Sequence, residues 1–144
     1  MYNRIPLIIQ HPSSKVYYKE FAEKMQDIQN KVNPALCLCD EEYLTMFSEF
    51  FPTSKTTTSE EIITVVKPIP TTLANDTAFL QLSSGTTGNV KVIEITHRQL
   101  IENCQEYAPQ AELPSDSIIA SWLPLYHDMG LVATVLLPVI VDCK

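Results

Sequence analysis

Short apolar runs alternate along this chain with longer stretches that are apolar on one side only, and the alternation predicts its elements. Residues 5–10 are an apolar run closed by His11-Pro12, the pattern of a short buried strand. Ser13 or Ser14 is placed to cap the helix that follows. Within it Tyr17, Phe21, Met25, Ile28 and Val32 recur every three or four positions and so share one face. Asn33-Pro34 ends it, because the residue before a proline avoids helical backbone. Residues 35–39 predict a strand. Asp40 then opens a second helix, with Glu41 and Glu42 in the first turn, where the helix dipole favours carboxylates, and with Leu44, Phe47 and Phe51 turned to the core. Residues 53–59 are polar and Thr-rich and predict a surface connection. Residues 62–66 are β-branched and strand-like, with a short helix from Ser59 as the alternative, and residues 67–76 form a second connector.

In the second half, residues 77–82 alternate as a strand does, residues 83–89 are a loop, and residues 90–95 are a further strand. Thr96 caps a helix over 97–107, and Pro109 and Pro114 bracket a loop. A strand over 118–122, a loop over 123–126 and a helix over 128–137 complete the pattern. Strand, helix, strand, helix in this order predicts an α/β fold with a parallel layer.

Composition narrows the function. The chain has 144 residues, enough for a real core, and 45% of them are hydrophobic, which excludes a disordered chain. A net charge of -7 without a basic stripe argues against nucleic acid and against an anionic membrane as partners. Cys37, Cys39, Cys104 and Cys143 lack the second well-spaced pair that a zinc site needs, so they read as small buried thiols. No signal-peptide pattern opens the chain. Its longest apolar stretch, residues 130–141, contains Pro138 and is too short to span a bilayer. The expectation is a cytoplasmic protein without stable membrane insertion.

Candidate chemistry concentrates in Leu82-Ser83-Ser84-Gly85-Thr86-Thr87-Gly88-Asn89-Val90-Lys91. Gly85 and Gly88 let the backbone approach a ligand closely. The hydroxyls of Ser83, Ser84, Thr86 and Thr87 lie beside them, successive N–H groups in such a turn make an anion nest, and Lys91 adds one mobile cation. These parts suit a polyphosphate. The spacing is not that of the phosphate loop that opens a helix, because β-branched residues follow Lys91, so this loop joins two strands. A plain polar hairpin turn has the same composition, and composition does not choose between the two.

The string Phe79-Leu80-Gln81-Leu82-Ser83-Ser84-Gly85-Thr86-Thr87-Gly88-Asn89-Val90-Lys91 resembles the phosphate-binding signature of the adenylate-forming enzymes. Roughly thirty residues on, Ser121-Trp122-Leu123-Pro124-Leu125-Tyr126-His127-Asp128-Met129-Gly130-Leu131 resembles their second signature, in the form of the fatty acyl-AMP ligases. The resemblance is detailed over residues 76–140 and holds in pattern over 5–50. Val90 and Val92 stand where the family usually has proline and glycine, which changes the backbone freedom at the loop's exit.

The resemblance implies part of a large N-terminal domain with parallel, flavodoxin-like α/β layers and a phosphate-binding hairpin loop. Residues 1–70 would be a first, incomplete layer. Residues 71–144 would carry the hairpin and the following α/β segment, with a C-terminal domain outside the chain. It implies activation of a carboxylic, most simply a fatty, acid by ATP and Mg2+ to acyl-AMP, followed by transfer to the thiol of an acyl carrier protein or CoA. Ser83, Ser84, Gly85, Thr86, Thr87 and Gly88 would wrap the β- and γ-phosphates, and Lys91 would steady the departing pyrophosphate. His127 would lie near the acyl carboxylate and the α-phosphate, with Trp122 and Tyr126 in the substrate pocket. The magnesium ligand would lie outside this chain, and the chain alone would not turn over. Three alternatives stay open: a non-catalytic remnant that binds nucleotide or a partner, an acyl-CoA synthetase fragment, and an unrelated phosphate-binding α/β domain. Apolar faces and sheet edges left uncovered in such a piece would favour self-association.

Overall fold

A computed structural model describes residues 4–12, 17–60, 71–84, 90–114 and 116–143, and for Ser84 the backbone alone. The expected cap at Ser13 or Ser14, the strand over 62–66, the connector residues 67–70 and the loop residues 85–89 lie outside the described residues. The chain divides into two compact units. One comprises residues 11–69 and 83–92; the other comprises residues 1–10, 70–82 and 93–144.

In the first of these, α1 (Tyr18–Val32) buries Phe21, Met25 and Ile28, three members of the expected stripe. Tyr17 instead stands before the helix, largely exposed. Asn33 ends α1 with a left-handed backbone (φ 46°), a conformation that asparagine tolerates better than most residues. Its side-chain oxygen accepts from Gln29 at 3.0 Å and from the Thr53 hydroxyl at 2.8 Å. Strand β1 (Leu36–Leu38) is followed by a 3-10 turn over Glu41–Tyr43 and by α2 (Leu44–Phe50). Phe21, Phe47, Phe50 and Phe51 then cluster, with the Phe47 and Phe51 rings stacked at 6.1 Å.

The expected surface connection over 53–59 is corrected here. Residues Lys55–Thr57 form a strand, β2, which pairs in parallel with β1 in the register Leu36↔Lys55, Cys37↔Thr56, Leu38↔Thr57. Polarity concealed it. Threonine is β-branched and suits a strand, and Thr57 is buried although it carries a hydroxyl. The cysteine reading divides: Cys37 and Cys104 are buried, whereas Cys39 and Cys143 are only half-buried.

In the other unit, β3 (Thr77–Ser84) and β4 (Val90–Thr96) form a two-stranded sheet whose loop-proximal ends belong to the first unit. Their short connection leaves no room for the crossover that parallel pairing would need. The run over 5–10 contributes one parallel bridge, Leu7↔Leu80, in place of a full strand. Helix α3 (His97–Gln110) starts at a capping box in which Thr96 and Gln99 satisfy each other's backbone N–H groups. Phe79, Leu100, Cys104, Ala108 and Leu137 form the core of this unit.

Two further expectations are corrected. Residues 118–122 form no strand: Ile118 is 78% exposed and Trp122 is 92% exposed. β-branched residues supply only a local preference, and no neighbouring strand among the described residues pairs with this segment. The expected α-helix over 128–137 is π-helical over Met129–Leu136 and α-helical only as α4 (Leu137–Val141). Pro138, with no N–H and a ring that crowds the carbonyl four residues back, is a physical cause for that widening. Among the described residues no helix is long and apolar enough to cross a membrane.

Candidate active site

The loop between β3 and β4 is bounded by Ser84 and Val90. Ser83 and Ser84 belong to β3, not to the loop as expected, and Lys91 is the exposed second residue of β4. Gly85, Thr86, Thr87 and Gly88 lie outside the described residues. Val90, between the loop and Lys91, is buried and held by α1. Its N–H donates to Asp27 Oδ2 at 3.0 Å, and its carbonyl accepts from Lys31 Nζ at 2.5 Å. Asp27 and Lys31 form an ion pair of 2.7 Å one turn apart on α1. The Lys31 ammonium, bonded to Asp27, holds the Asp27 carboxyl below its usual range, and the Val90 N–H adds to this.

The second signature folds on itself within its own unit. Ser121 accepts from the Leu123 N–H at 3.0 Å, and the His127 N–H donates to the Pro124 carbonyl at 3.0 Å, closing a turn. Gln81 of β3 donates from Nε2 to the Tyr126 carbonyl at 3.3 Å, which ties this turn to the strand that leads into the loop. His127 Nδ1 lies 2.7 Å from Asp128 Oδ1, and both side chains are exposed. A carboxylate on Nδ1 fixes the ring and leaves Nε2 as the nitrogen for a ligand. Asp128 also accepts from the Met129 N–H at 2.7 Å and so opens the π-helical segment.

Beside this turn is an apolar cavity of about 240 Å³ lined by Cys104, Tyr107, Asp128, Met129, Val132 and Leu137, among others. Trp122, Tyr126 and His127 are not part of its lining; Asp128 is. Among the described residues no cluster of three or more His, Cys, Asp or Glu is arranged to hold a metal ion.

Sequence reasoning passed over Asp27, Lys31, Gln81 and Asp128's place at the cavity. The spacing of Asp27 and Lys31 marks a helical ion pair, but only the packing of α1 brings it to Val90. Gln81 had a signal, being a polar residue between two leucines in β3.

The chain is similar to named ligases. A putative fatty-acid–CoA ligase of Mycobacterium leprae is 32% identical over 133 residues, which is 82% of this chain and 23% of that protein. A medium-chain-fatty-acid–acyl-carrier-protein ligase of Teredinibacter turnerae is 42% identical over 69 residues, 48% of this chain and 11% of that protein. The chain thus spans about a quarter or less of the length of these relatives. Among solved structures, the fatty acyl-adenylate ligase of L. pneumophila, in complex with acyl adenylate and pyrophosphate, superposes with a TM-score of 0.73 at 29% identity. That match covers 84% of this chain and 22% of the other. The McyG A-PCP structure, with phenylalanyl-adenylate, shares the fold at a TM-score of 0.79 and 19% identity, over 97% of this chain and 23% of that one. The AMP-binding enzyme family model matches residues 4–144. This chain belongs to the AMP-binding enzyme family.

Proposed function

We propose that this chain is part of the ATP-binding domain of a ligase that activates a fatty or other carboxylic acid as its acyl adenylate. The observation that carries the reading is the pair of strands, β3 and β4, that brings Ser83 and Lys91 to the two ends of a loop rich in Gly, Ser and Thr. The names of the relatives support the substrate class.

In the proposed reaction a carboxylate oxygen attacks the α-phosphorus of ATP. The bond to the β-phosphate oxygen breaks, and pyrophosphate leaves with the electron pair. Ser83, Ser84, Gly85, Thr86, Thr87 and Gly88 hold the β- and γ-phosphates, and Lys91 offsets the charge that grows on the leaving group. His127, in its protonated form and with Nδ1–H held by Asp128, donates from Nε2 to an anionic oxygen at the acyl carboxylate or the α-phosphate. Trp122 and Tyr126 are assigned to the acyl side of the site. A thiol then attacks the acyl carbonyl, AMP leaves, and the thiol proton passes to solvent or a base. Mg2+ would come in on the nucleotide. By the family resemblance, its protein ligand is proposed outside this chain.

The acceptor divides the reading. The acyl-carrier-protein ligase among the relatives supports a carrier protein, and the CoA ligase among them supports CoA. Consumption of ATP fits a cytoplasmic setting. The chain alone is proposed to be inactive and, with Trp122 and Val139 exposed, prone to self-association. A second reading, a non-catalytic nucleotide-binding remnant, is favoured by the valines at 90 and 92.

The test is release of pyrophosphate from ATP with a panel of fatty acids, using the full polypeptide that carries this chain. Lys91→Ala is expected to lower turnover about 100-fold. Unchanged turnover in that variant would remove Lys91 from the reaction. ATP binding without any pyrophosphate release from the parent protein would favour the remnant.

A further inference from the structure

Val90, the first residue of β4, is tied to α1 through its backbone. Both of its backbone groups are engaged by one helical turn of α1: the N–H by Asp27 Oδ2 and the carbonyl by Lys31 Nζ. With the Asp27–Lys31 pair at 2.7 Å, the three residues close a ring of hydrogen bonds. Both side chains are partly shielded from water, 28% and 39% exposed for Asp27 and Lys31, so the bonds are screened less than at a free surface. Charge-assisted bonds of this kind are the stronger ones. Their anchor is firm, because α1 buries Phe21, Met25 and Ile28.

The ring also accounts for the residue at its centre. A proline at position 90 would have no N–H to donate. It would fix the loop's exit through its own ring. Valine leaves the backbone freer but supplies the N–H that Asp27 accepts. Lys31, with its ammonium committed to Asp27 and to the Val90 carbonyl, acts as a strut.

We propose that Asp27 and Lys31 are positioning residues for Lys91: by holding Val90 through its backbone they set where the next residue presents its ammonium to the nucleotide phosphates. This rests on the phosphate-binding reading above, and the experiment separates the two. In the full polypeptide, Asp27→Ala is expected to raise KM for ATP roughly ten-fold with a smaller change in kcat, since misplaced binding groups cost much of their benefit. Hydrogen exchange of the backbone amides of residues 90–92 should quicken in the same variant. Asp27→Asn, which keeps the shape of the side chain and drops its charge, should move both readouts in the same direction. Combined with Val90→Pro, which removes the N–H that Asp27 accepts, Asp27→Ala should add less than about two-fold, as coupling within one contact requires.

Unchanged exchange at residues 90–92 together with an unchanged KM in both Asp27 variants, while Lys91→Ala still impairs ATP binding, would overturn the clamp and leave the phosphate reading standing. Fully additive effects of Asp27→Ala and Val90→Pro would also overturn the clamp. Normal ATP binding together with normal turnover in Lys91→Ala would overturn the role given to Lys91 and the clamp with it.

Discussion

Gly130 sits against the backbone of Pro124 so closely that a Cβ on it would stand 2.2 Å from the Pro124 carbonyl oxygen and 2.8 Å from its carbonyl carbon. Neither atom is the movable tip of a side chain. The same carbonyl already accepts the His127 N–H, so displacing it disturbs the turn that carries the histidine. Gly130→Ala is therefore expected to destabilise this unit by about 1–3 kcal/mol, the usual range for forced overpacking, and to lower turnover beyond that loss. Chemical denaturation alongside pyrophosphate release at saturating ATP checks it. An alanine variant of parental stability would mean that the turn yields more easily than its geometry indicates.

Gln81 ties the same turn to β3 through the Tyr126 carbonyl. Gln81→Leu keeps most of the side-chain volume and removes the donor. The expected loss is about 1 kcal/mol, with a proportionally larger fall in kcat than in stability if the turn positions His127. Equal losses in both would assign Gln81 a purely structural part.

The capping box at the start of α3 is testable by itself. Thr96 accepts from the Gln99 N–H at 3.2 Å, and the Gln99 side chain accepts from the Thr96 N–H at 3.0 Å. Thr96→Ala should cost about 1 kcal/mol and Thr96→Ser much less, because serine caps as well as threonine does. Urea midpoints of the two variants decide it.

Asp27 gives the acid limb a specific component. Its folded carboxyl titrates below its ordinary value, first because Lys31 donates to it and then because the Val90 N–H does. An acid depressed on folding contributes stability that is fully present above its unfolded pKa, about 4, and is lost as pH falls through the folded value. The stability difference between the parent and Asp27→Asn should accordingly be greatest near neutrality and shrink below about pH 4. Denaturation curves at pH 7 and pH 3 measure it. A difference that stays constant with pH would show that the carboxylate's charge contributes nothing.

Burial pushes the Cys37 thiol up to about 11, with neighbouring Cys39 adding to this, and burial likewise raises Cys104. Since the thiolate is the reactive form, both should resist a neutral thiol reagent at pH 7.5. Half-buried Cys143 should react before either, and all four should react after unfolding. Mass mapping of the modified positions provides the check.

The local elements were largely legible in the chain. The stripe of Phe21, Met25 and Ile28 specifies α1 because side chains three and four apart share one helical face, whatever surrounds them. Thr96 followed three residues later by Gln99 marks the start of α3 because the capping bonds are made within four residues. The two signatures were legible for the same reason: their chemistry is written in consecutive residue types.

Tertiary structure decided whatever depends on a partner distant in sequence. Polar residues Lys55–Thr57 become a strand only because β1 offers them an edge, while the β-branched Ile118 and Ile119 have no strand partner among the described residues. Asp27 and Val90 are 63 positions apart, so no spacing rule could join them. Gly130 reads as one more small residue until the Pro124 carbonyl is set against it. A strand's hydrogen bonds, a carboxylate's donor and the room beside a glycine are all supplied by other parts of the chain. Sequence determines the local preference, and packing determines which neighbour satisfies it.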